Sequence, residues 1–144
     1  MTNGAALIGA YYEAFNRGDW AGMLALLTED VIHDINQGGR EVGREAFGRF
    51  LERMARHYQE QITDLVILTH PSGERAAAEF TVEGRYVATD PELPPGTPPA
   101  SGQSYTLPAG AFFALREGRI ARVTNYYNLG LWIRLIGGSA AASG

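Results

Sequence analysis

The stretch from Asp30 to Gly43 holds the chain's most concentrated group of side chains able to move protons. Its extended segment carries a histidine, an aspartate and an asparagine at His33, Asp34 and Asn36. An imidazole titrates near neutral pH and a carboxylate accepts protons readily, so either group suits general acid–base catalysis. The segment therefore predicts a strand that carries a catalytic base.

Alternation along this strand separates the two candidate bases. Strand side chains point to opposite faces with period two, so His33 and Asp34 lie on different faces and we expect at most one of them to enter a pocket. The residue types do not decide which one. The following pair, Gly38 and Gly39, predicts a tight hairpin turn because glycine adopts positive φ without strain, and residues 41–42 would return as a short second strand.

The elements that must position this strand follow from the hydrophobic pattern. Apolar residues at helical spacing predict helices over 5–16, after Asp19 as an N-cap, and over 44–59. Period-two alternation and turn residues predict further strands over 61–69, 75–89, 103–116 and 119–128, followed by an apolar turn or short helix over 129–136.

The predicted fold is α+β: three helices in the N-terminal half and a cone-shaped, strongly curved antiparallel sheet of about six strands, which together enclose a cavity. Residues 3–136 form one domain in this interpretation, and residues 137–144 form a disordered tail. The segment 90–102 holds five of the seven prolines. It predicts either a solvated insertion or a stiff lid near the pocket mouth.

Composition limits the possible functions. The 144 residues include no cysteine, which excludes disulfides and thiolate chemistry, and all twelve basic residues are arginine, which excludes a Schiff-base lysine. The net charge of -4 disfavours nucleic acid and anionic membranes as partners. We find no signal peptide or membrane span and expect a cytoplasmic protein. A metal site from His33, Asp34 and His57 is disfavoured by their spacing, and no phosphate-binding loop is present, so we expect no metal and no cofactor.

Two segments carry a resemblance to a known family. Residues 11–19, YYEAFNRGD, and residues 26–31, LLTEDV, resemble the N-terminal signature of the nuclear transport factor 2-like superfamily, within which the chain is most similar to SnoaL-like, ketosteroid isomerase-related proteins. Residues 110–113 and 118–123 are similar to the family's last hairpin. The superfold serves isomerases, dehydratases, cyclases and binding modules alike, so it does not fix one activity.

The resemblance implies roles for individual residues. Tyr11 falls on the oxyanion tyrosine of the isomerases, and the base falls on Ile35 without a gap or on Asp34 with a one-residue shift. In the ungapped register His33 would take the base role. The second oxyanion acid is replaced by Gly110. The predicted cavity lining comprises Phe15, Asn36, Met54, Tyr58, Phe112, Asn125, Tyr127 and Trp132.

Two classes of function follow from the resemblance. The first is a cofactor-independent acid–base enzyme of isomerase, cyclase or dehydratase type, acting on a small, largely apolar carbonyl compound, with Asp34 or His33 as base and Tyr11 polarising the oxygen. The alternative is a non-catalytic module of the same fold that binds a small ligand or dimerises. A homodimer is expected in either case, through an outer sheet face that includes Tyr105 and Phe113.

Overall fold

The computed structural model describes residues 3–137, and its elements follow the predicted order. The helices are α1 (Gly4–Arg17), α2 (Trp20–Leu24), α3 (Arg44–His57) and α4 (Leu129–Leu135). The strands are β1 (Leu27–Ile35), β2 (Gly39–Val42), β3 (Tyr58–Thr69), β4 (Arg75–Tyr86), β5 (Gln103–Arg116) and β6 (Arg119–Tyr127). The predicted tail, apart from Gly137, lies outside the described residues. None of the described helices is long and apolar enough to cross a membrane.

The strands form one open, curved sheet in the order β2-β1-β6-β5-β4-β3. This confirms the predicted α+β class with six strands, but the sheet is mixed rather than antiparallel throughout. Strand β1 runs parallel to β6, while every other neighbouring pair is antiparallel. Because β1 pairs with the last strand of the chain, residues 33–34 lie beside residues 123–124, and the two ends of the sequence build one wall.

The ends of the first two helices are fixed by side-chain and glycine caps. The Asn3 side chain accepts a hydrogen bond from the backbone of Ala5, and α1 ends at Gly18, which adopts the left-handed conformation with φ 69°. Asp19 accepts from the backbone N–H of Gly22 and begins α2, which confirms the predicted N-cap. These caps set the path of the chain from α1 into β1.

Asn16 joins α1 to the sheet edge. Its side-chain oxygen accepts from the backbone N–H of Ile62 at 2.7 Å, and its amide nitrogen donates to the Ile62 carbonyl at 3.0 Å. One side chain thus satisfies both polar groups of one peptide position on β3, a stabilising arrangement for partly buried backbone. It holds α1 across the concave face of the sheet.

The connection between β1 and β2 is a turn at the predicted place with a different conformation. A short 3-10 turn spans Asn36–Gly38, and the positive φ values fall on Gln37 (73°) and Gly38 (89°), whereas Gly39 is extended with φ -71°. The pair of strands then closes in antiparallel register, with Ile35 opposite Gly39. The turn places Glu41 opposite His33, a pairing with consequences for the site.

The proline-rich connection 90–102 is anchored at its start to α3. Asp90 is buried, and its carboxylate accepts hydrogen bonds from Arg53 and from the hydroxyl of Tyr58, each at 2.8 Å. Arg53 also bonds Glu92 at 2.7 Å. A buried carboxylate is tolerated only when it is paired and hydrogen-bonded, and these contacts supply both. These contacts therefore hold the start of the connection against α3.

Candidate active site

A pocket of about 140 Å³ opens on the concave side of the sheet, and we call it the inner pocket. Most of its wall is aromatic and aliphatic, contributed by α1, α3 and the inner faces of the strands. The lining residues that can form hydrogen bonds or transfer protons are Tyr11, Tyr12, His33, Asn36, Glu60, Asn125, Tyr126, Tyr127 and Trp132. An apolar hollow with a few polar groups is the usual form of a small-molecule site.

His33 is the central polar group of one wall. His33 is only 2% exposed. Its ring packs on Phe47, with ring centroids 4.4 Å apart, and edge-on against Phe50, with centroids 4.8 Å apart. Its Nε2 lies 3.2 Å from Nδ2 of Asn125, and its Nδ1 lies 3.9 Å from Oε1 of Glu41. Aromatic packing and two polar neighbours thus fix the orientation of the imidazole.

The surroundings of His33 determine its charge and its tautomer. Burial lowers its pKa to about 4, against a smaller opposing influence of Asp34, so the ring is neutral at pH 7. The Glu41 carboxylate beside Nδ1 favours the tautomer with its proton there, which leaves the lone pair on Nε2. That nitrogen faces the Asn125 amide, and both residues line the inner pocket. The arrangement presents a neutral base to the pocket.

Asp34 lies on the opposite face of β1, outside the inner pocket, so its assignment as the pocket base is corrected. Its carboxylate accepts hydrogen bonds from Arg40, whose Nη2 is 3.2 Å away, and from the hydroxyl of Thr124 at 2.7 Å. The Arg40 hydrogen bond holds the pKa of Asp34 below its ordinary value. The physical reason is the register of β1: His33 and Ile35 face inward, as in the ungapped alternative.

Tyr11 lines the pocket, as the resemblance implied, and is 5% exposed. It packs edge-to-face on Tyr12 and Phe113, at 5.0 and 5.8 Å between ring centroids. Burial raises the pKa of Tyr11, so its hydroxyl stays protonated and can donate a hydrogen bond. The neighbouring Tyr12 hydroxyl is enclosed and has no hydrogen-bond partner within residues 3–137. This wall therefore holds two phenol groups.

The remaining predicted lining residues divide into two groups. Six of them line the inner pocket: Phe15, Asn36, Met54, Asn125, Tyr127 and Trp132. Tyr58 does not, because its buried hydroxyl is directed to Asp90. Phe112 lies on the outer face, 51% exposed and packed edge-on to Tyr126.

The error at Phe112 is an inversion of the two faces of β5. The dimer face was predicted to include Tyr105 and Phe113, yet both residues are buried on the concave side. Alternation places Tyr105, Leu107 and Phe113 on one face of β5 and Ser104, Thr106 and Phe112 on the other. The first face is the more apolar one, so the pattern itself favours it as the inner face, and the assignment of Phe112 to the cavity went against that pattern. On the outer face the apolar residues are instead Phe112 and Tyr126.

Two carboxylates near the pocket were not found from the sequence. Glu41 was placed only as part of a return strand, and its role depends on the cross-strand pairing with His33. Glu60 lies between the predicted helix over 44–59 and the predicted strand over 61–69 and was given no role, yet it belongs to β3, lines the pocket and accepts a hydrogen bond from Tyr105. Both depend on strand register. Within residues 3–137, no three His, Cys, Asp or Glu side chains lie close enough together to hold a metal ion.

Solved structures with similar folds define the class of protein. An NTF2-like protein of unknown function from Burkholderia pseudomallei K96243 superposes with a TM-score of 0.68 at 23% identity, covering 96% of this chain and 100% of that chain. A likeness at this identity establishes the fold. The chain therefore has the NTF2-like fold: an α+β sheet curved around a pocket beneath the helices.

Sequence comparison then gives the family. A family model for the SnoaL-like domain matches residues 8–123, and the chain belongs to that family. Two similar solved structures bear the name "putative polyketide cyclase". One, from Xanthomonas campestris pv. campestris, is 54% identical over 93% of this chain and 96% of that chain, with a TM-score of 0.88. The other, from Pseudomonas putida KT2440, is 55% identical over 94% and 98%, also with a TM-score of 0.88. Among curated proteins no sequence matches this chain significantly.

Proposed function

We propose that the protein is a cofactor-independent acid–base enzyme of cyclase or isomerase type, in which His33 removes a proton from the carbon next to a carbonyl group. The observation that carries the proposal is the neutral, buried imidazole in the pocket wall, held between Glu41 and Asn125. The two similar structures named as polyketide cyclases support this reaction class, because cyclisation of such compounds begins from a carbanion or enol next to a carbonyl.

Glu41 and Asn125 have distinct parts in this mechanism. When Nε2 of His33 accepts the substrate proton, the ring becomes a cation inside an apolar wall. The Glu41 carboxylate, 3.9 Å from Nδ1, then stabilises that cation by Coulomb attraction, which is stronger in a pocket that excludes water. Before reaction the Asn125 amide donates a hydrogen bond to Nε2 and positions the ring, and the substrate must displace this hydrogen bond for Nε2 to accept its proton. Tyr11 donates a hydrogen bond to the carbonyl oxygen as negative charge develops there.

The size of the pocket limits the substrate. Its volume of about 140 Å³ is close to the ~150 Å³ of an apolar cavity that binds benzene, and below the ~300–1,000 Å³ typical of sites for drug-sized ligands. This enclosed space accommodates one ring, and because the pocket is open to solvent a second fused ring can extend into its mouth. Because Gly110 stands where the isomerases have their second acid, and because a steroid has four rings, we expect no dienone formation from a Δ5-3-ketosteroid.

Proton exchange at carbon tests the proposal without knowledge of the natural substrate. 2-Tetralone, a two-ring ketone, would be incubated with enzyme in D₂O at pH 7, and loss of its α-proton signals followed by ¹H NMR. We expect exchange above the buffer rate, and a fall of about 10²- to 10⁴-fold in the His33→Gln variant because general-base catalysis is lost. The matched control is Asp34→Asn, on the other face of the same strand, which should retain the wild-type rate.

Two outcomes contradict the proposal. Exchange by His33→Gln at the wild-type rate would remove the histidine from the chemistry. Tight binding of 2-tetralone or its aromatic analogue 2-naphthol, with no exchange above buffer in the wild-type protein, would instead support the ligand-binding module.

A further inference from the structure

A second polar cluster lies across three neighbouring strands, away from His33. Glu60 on β3 is opposite Gly84 on β4, and Gly84 is opposite Tyr105 on β5. The three residues thus form one row across the sheet. The hydroxyl of Tyr105 donates to Oε2 of Glu60 at 2.5 Å.

Gly84 is what allows this hydrogen bond to form. Tyr105 and Glu60 are two strands apart, so the tyrosine ring must lie across the backbone of the strand between them. A Cβ atom at Gly84 would meet Cζ of Tyr105 at 2.2 Å and its hydroxyl oxygen at 2.5 Å. Real atoms do not approach so closely, so any side chain at this position displaces the ring. The absence of a side chain at Gly84 therefore gives the Tyr105 ring the room it occupies.

Glu60 faces the inner pocket from the far edge of the sheet. In the strand order, β6, β5 and β4 separate β1 from β3, and both His33 and Glu60 line the same hollow. The curved sheet therefore places an imidazole and a carboxyl group on different walls of one pocket. The pocket between them is mostly apolar, so a ligand there has these two groups as its main acid–base neighbours.

The electrostatic surroundings favour a protonated Glu60. Burial raises the pKa of this carboxyl, and the Tyr105 hydrogen bond opposes the rise. The other titratable or charged groups that line the same hollows are Tyr11, Tyr12, Arg17, His33, Tyr58, Glu83, Arg85, Tyr105, Tyr126 and Tyr127.

We propose that Glu60 is the second catalytic group of this site, a carboxylic acid that donates its proton to the carbonyl oxygen of the substrate while His33 removes the proton at the neighbouring carbon. The proposal rests on the function proposed above. In this role Glu60, on β3, replaces the second oxyanion acid of the isomerases, whose position on β5 is occupied by Gly110. Tyr105 is a positioning residue that acts through Glu60.

The step balances in protons and electrons. The Cα–H bond breaks and its proton goes to Nε2 of His33, while the electron pair forms the C=C bond of the enol. The C=O π pair takes the proton from the Glu60 carboxyl. The products are an enol, an imidazolium at His33 and a carboxylate at Glu60, which Tyr105 stabilises through its hydrogen bond. Return of a proton from His33 to carbon, with return of the enol proton to Glu60, completes an exchange cycle.

The pH profile of 2-tetralone exchange gives the first test. His33 must be neutral, so the rate rises with pH through its pKa of about 4. Glu60 must be protonated, so the rate falls again as its carboxyl ionises. We expect Glu60→Gln, which keeps the shape but cannot transfer a proton, to lower the rate about 100-fold and to remove the falling limb while the rising limb remains.

Tyr105→Phe and Gly84→Ala test the positioning, and remain informative if Glu60→Gln does not fold. Loss of the Tyr105 hydrogen bond removes a group that favours the ionised carboxyl, so the falling limb should move to higher pH in both variants. The matched control is Gly9→Ala in α1, where an added Cβ has its nearest neighbour at 3.8 Å. Its profile should match the wild type.

Infrared spectra of bound 2-tetralone provide a readout that needs no turnover. A hydrogen bond from the Glu60 carboxylic acid lowers the C=O stretching frequency. Because an amide N–H is a weaker donor than a carboxylic acid, the band should move part of the way back up in Glu60→Gln and stay in place in His33→Gln. The proposal is overturned if Glu60→Gln keeps both the wild-type rate and the falling limb; loss of exchange in His33→Gln would then still uphold the proposed function. Absence of exchange in the wild-type protein overturns both.

Discussion

His33 and Asp34 are adjacent on β1, yet the two faces of the sheet give them opposite properties. On the concave face His33 is enclosed by Phe47 and Phe50, and burial keeps its imidazole neutral. On the outer face Asp34 is bonded to Arg40 and Thr124, which keep its carboxyl ionised. The comparison shows that charge state here is set by the face a side chain occupies. It also explains why Asp34, although a possible base by residue type, cannot serve the inner pocket.

The largest expected difference between the faces is in packing. Phe47 is 1% exposed and stacks on His33, so Phe47→Ala should lower the free energy of unfolding by about 3–5 kcal/mol through lost burial and a cavity. Phe112 is 51% exposed, and Phe112→Ala should change the free energy of unfolding by about 0.5 kcal/mol or less. Urea unfolding at several protein concentrations measures both.

The concentration series also tests the predicted homodimer. If the outer face with Phe112 and Tyr126 is covered by a second copy, the loss in Phe112→Ala will exceed that small value and will depend on protein concentration. Sedimentation of the wild-type protein as a monomer would contradict the dimer. Comparable losses in Phe47→Ala and Phe112→Ala without concentration dependence would contradict the assignment of the two faces.

The next effect is a pH dependence of stability that belongs to His33. An unfolded histidine protonates as pH falls below 6.5, whereas the folded ring resists until about 4, so the unfolded state binds more protons in between. Stability should therefore be lost as pH falls from about 6.5 to 4, by about 3 kcal/mol from this residue. Urea titrations across that range measure it. His33→Gln should flatten this part of the curve, and an unchanged slope would show that the ring is not neutral in the fold.

The sequence could predict the elements of the structure better than the faces of its strands. The helix and strand pattern, the Asp19 cap and the turn after β1 follow from local chemistry and are confirmed. The α+β class follows from the order of the predicted helices and strands and is confirmed as well. What local chemistry could not supply was the register of β1, which decides whether His33 or Asp34 faces inward. This strand offers two faces, and only the neighbouring strands decide between them. For β5 the alternation did favour Phe113 over Phe112 as the inward residue.

The residues that were missed depend on contacts between strands. Glu41 gains its place beside His33 through antiparallel pairing, and Glu60 reaches Tyr105 only because Gly84 lies between them. The parallel pairing of β1 with β6, which brings Asn125 beside His33, joins residues about ninety positions apart. No spacing rule within one element links such residues. A glycine at an inward-facing strand position, as at Gly84, was the available signal, since it marks a close approach of another group.

The smallest expected effect is on the outer face, at Asp34 itself. Its carboxyl has a lowered pKa, chiefly through the Arg40 hydrogen bond, so it contributes stability above its unfolded value of 3.8 that is lost as pH falls through the lower folded value. Because Arg40 is exposed, the pair is screened, so Asp34→Asn should lower the free energy of unfolding only slightly at pH 7 and leave the exchange rate within about twofold of wild type.

The two variants should differ from the wild type in different pH ranges. The slope of stability against pH should change only below pH 4 in Asp34→Asn, and between pH 4 and 6.5 in His33→Gln. Urea titrations of both variants over pH 3 to 7 separate the windows. If Asp34→Asn instead altered the slope between pH 4 and 6.5, or abolished exchange, the two residues would not be independent. The charge of Asp34 on the outer face would then influence His33 in the pocket.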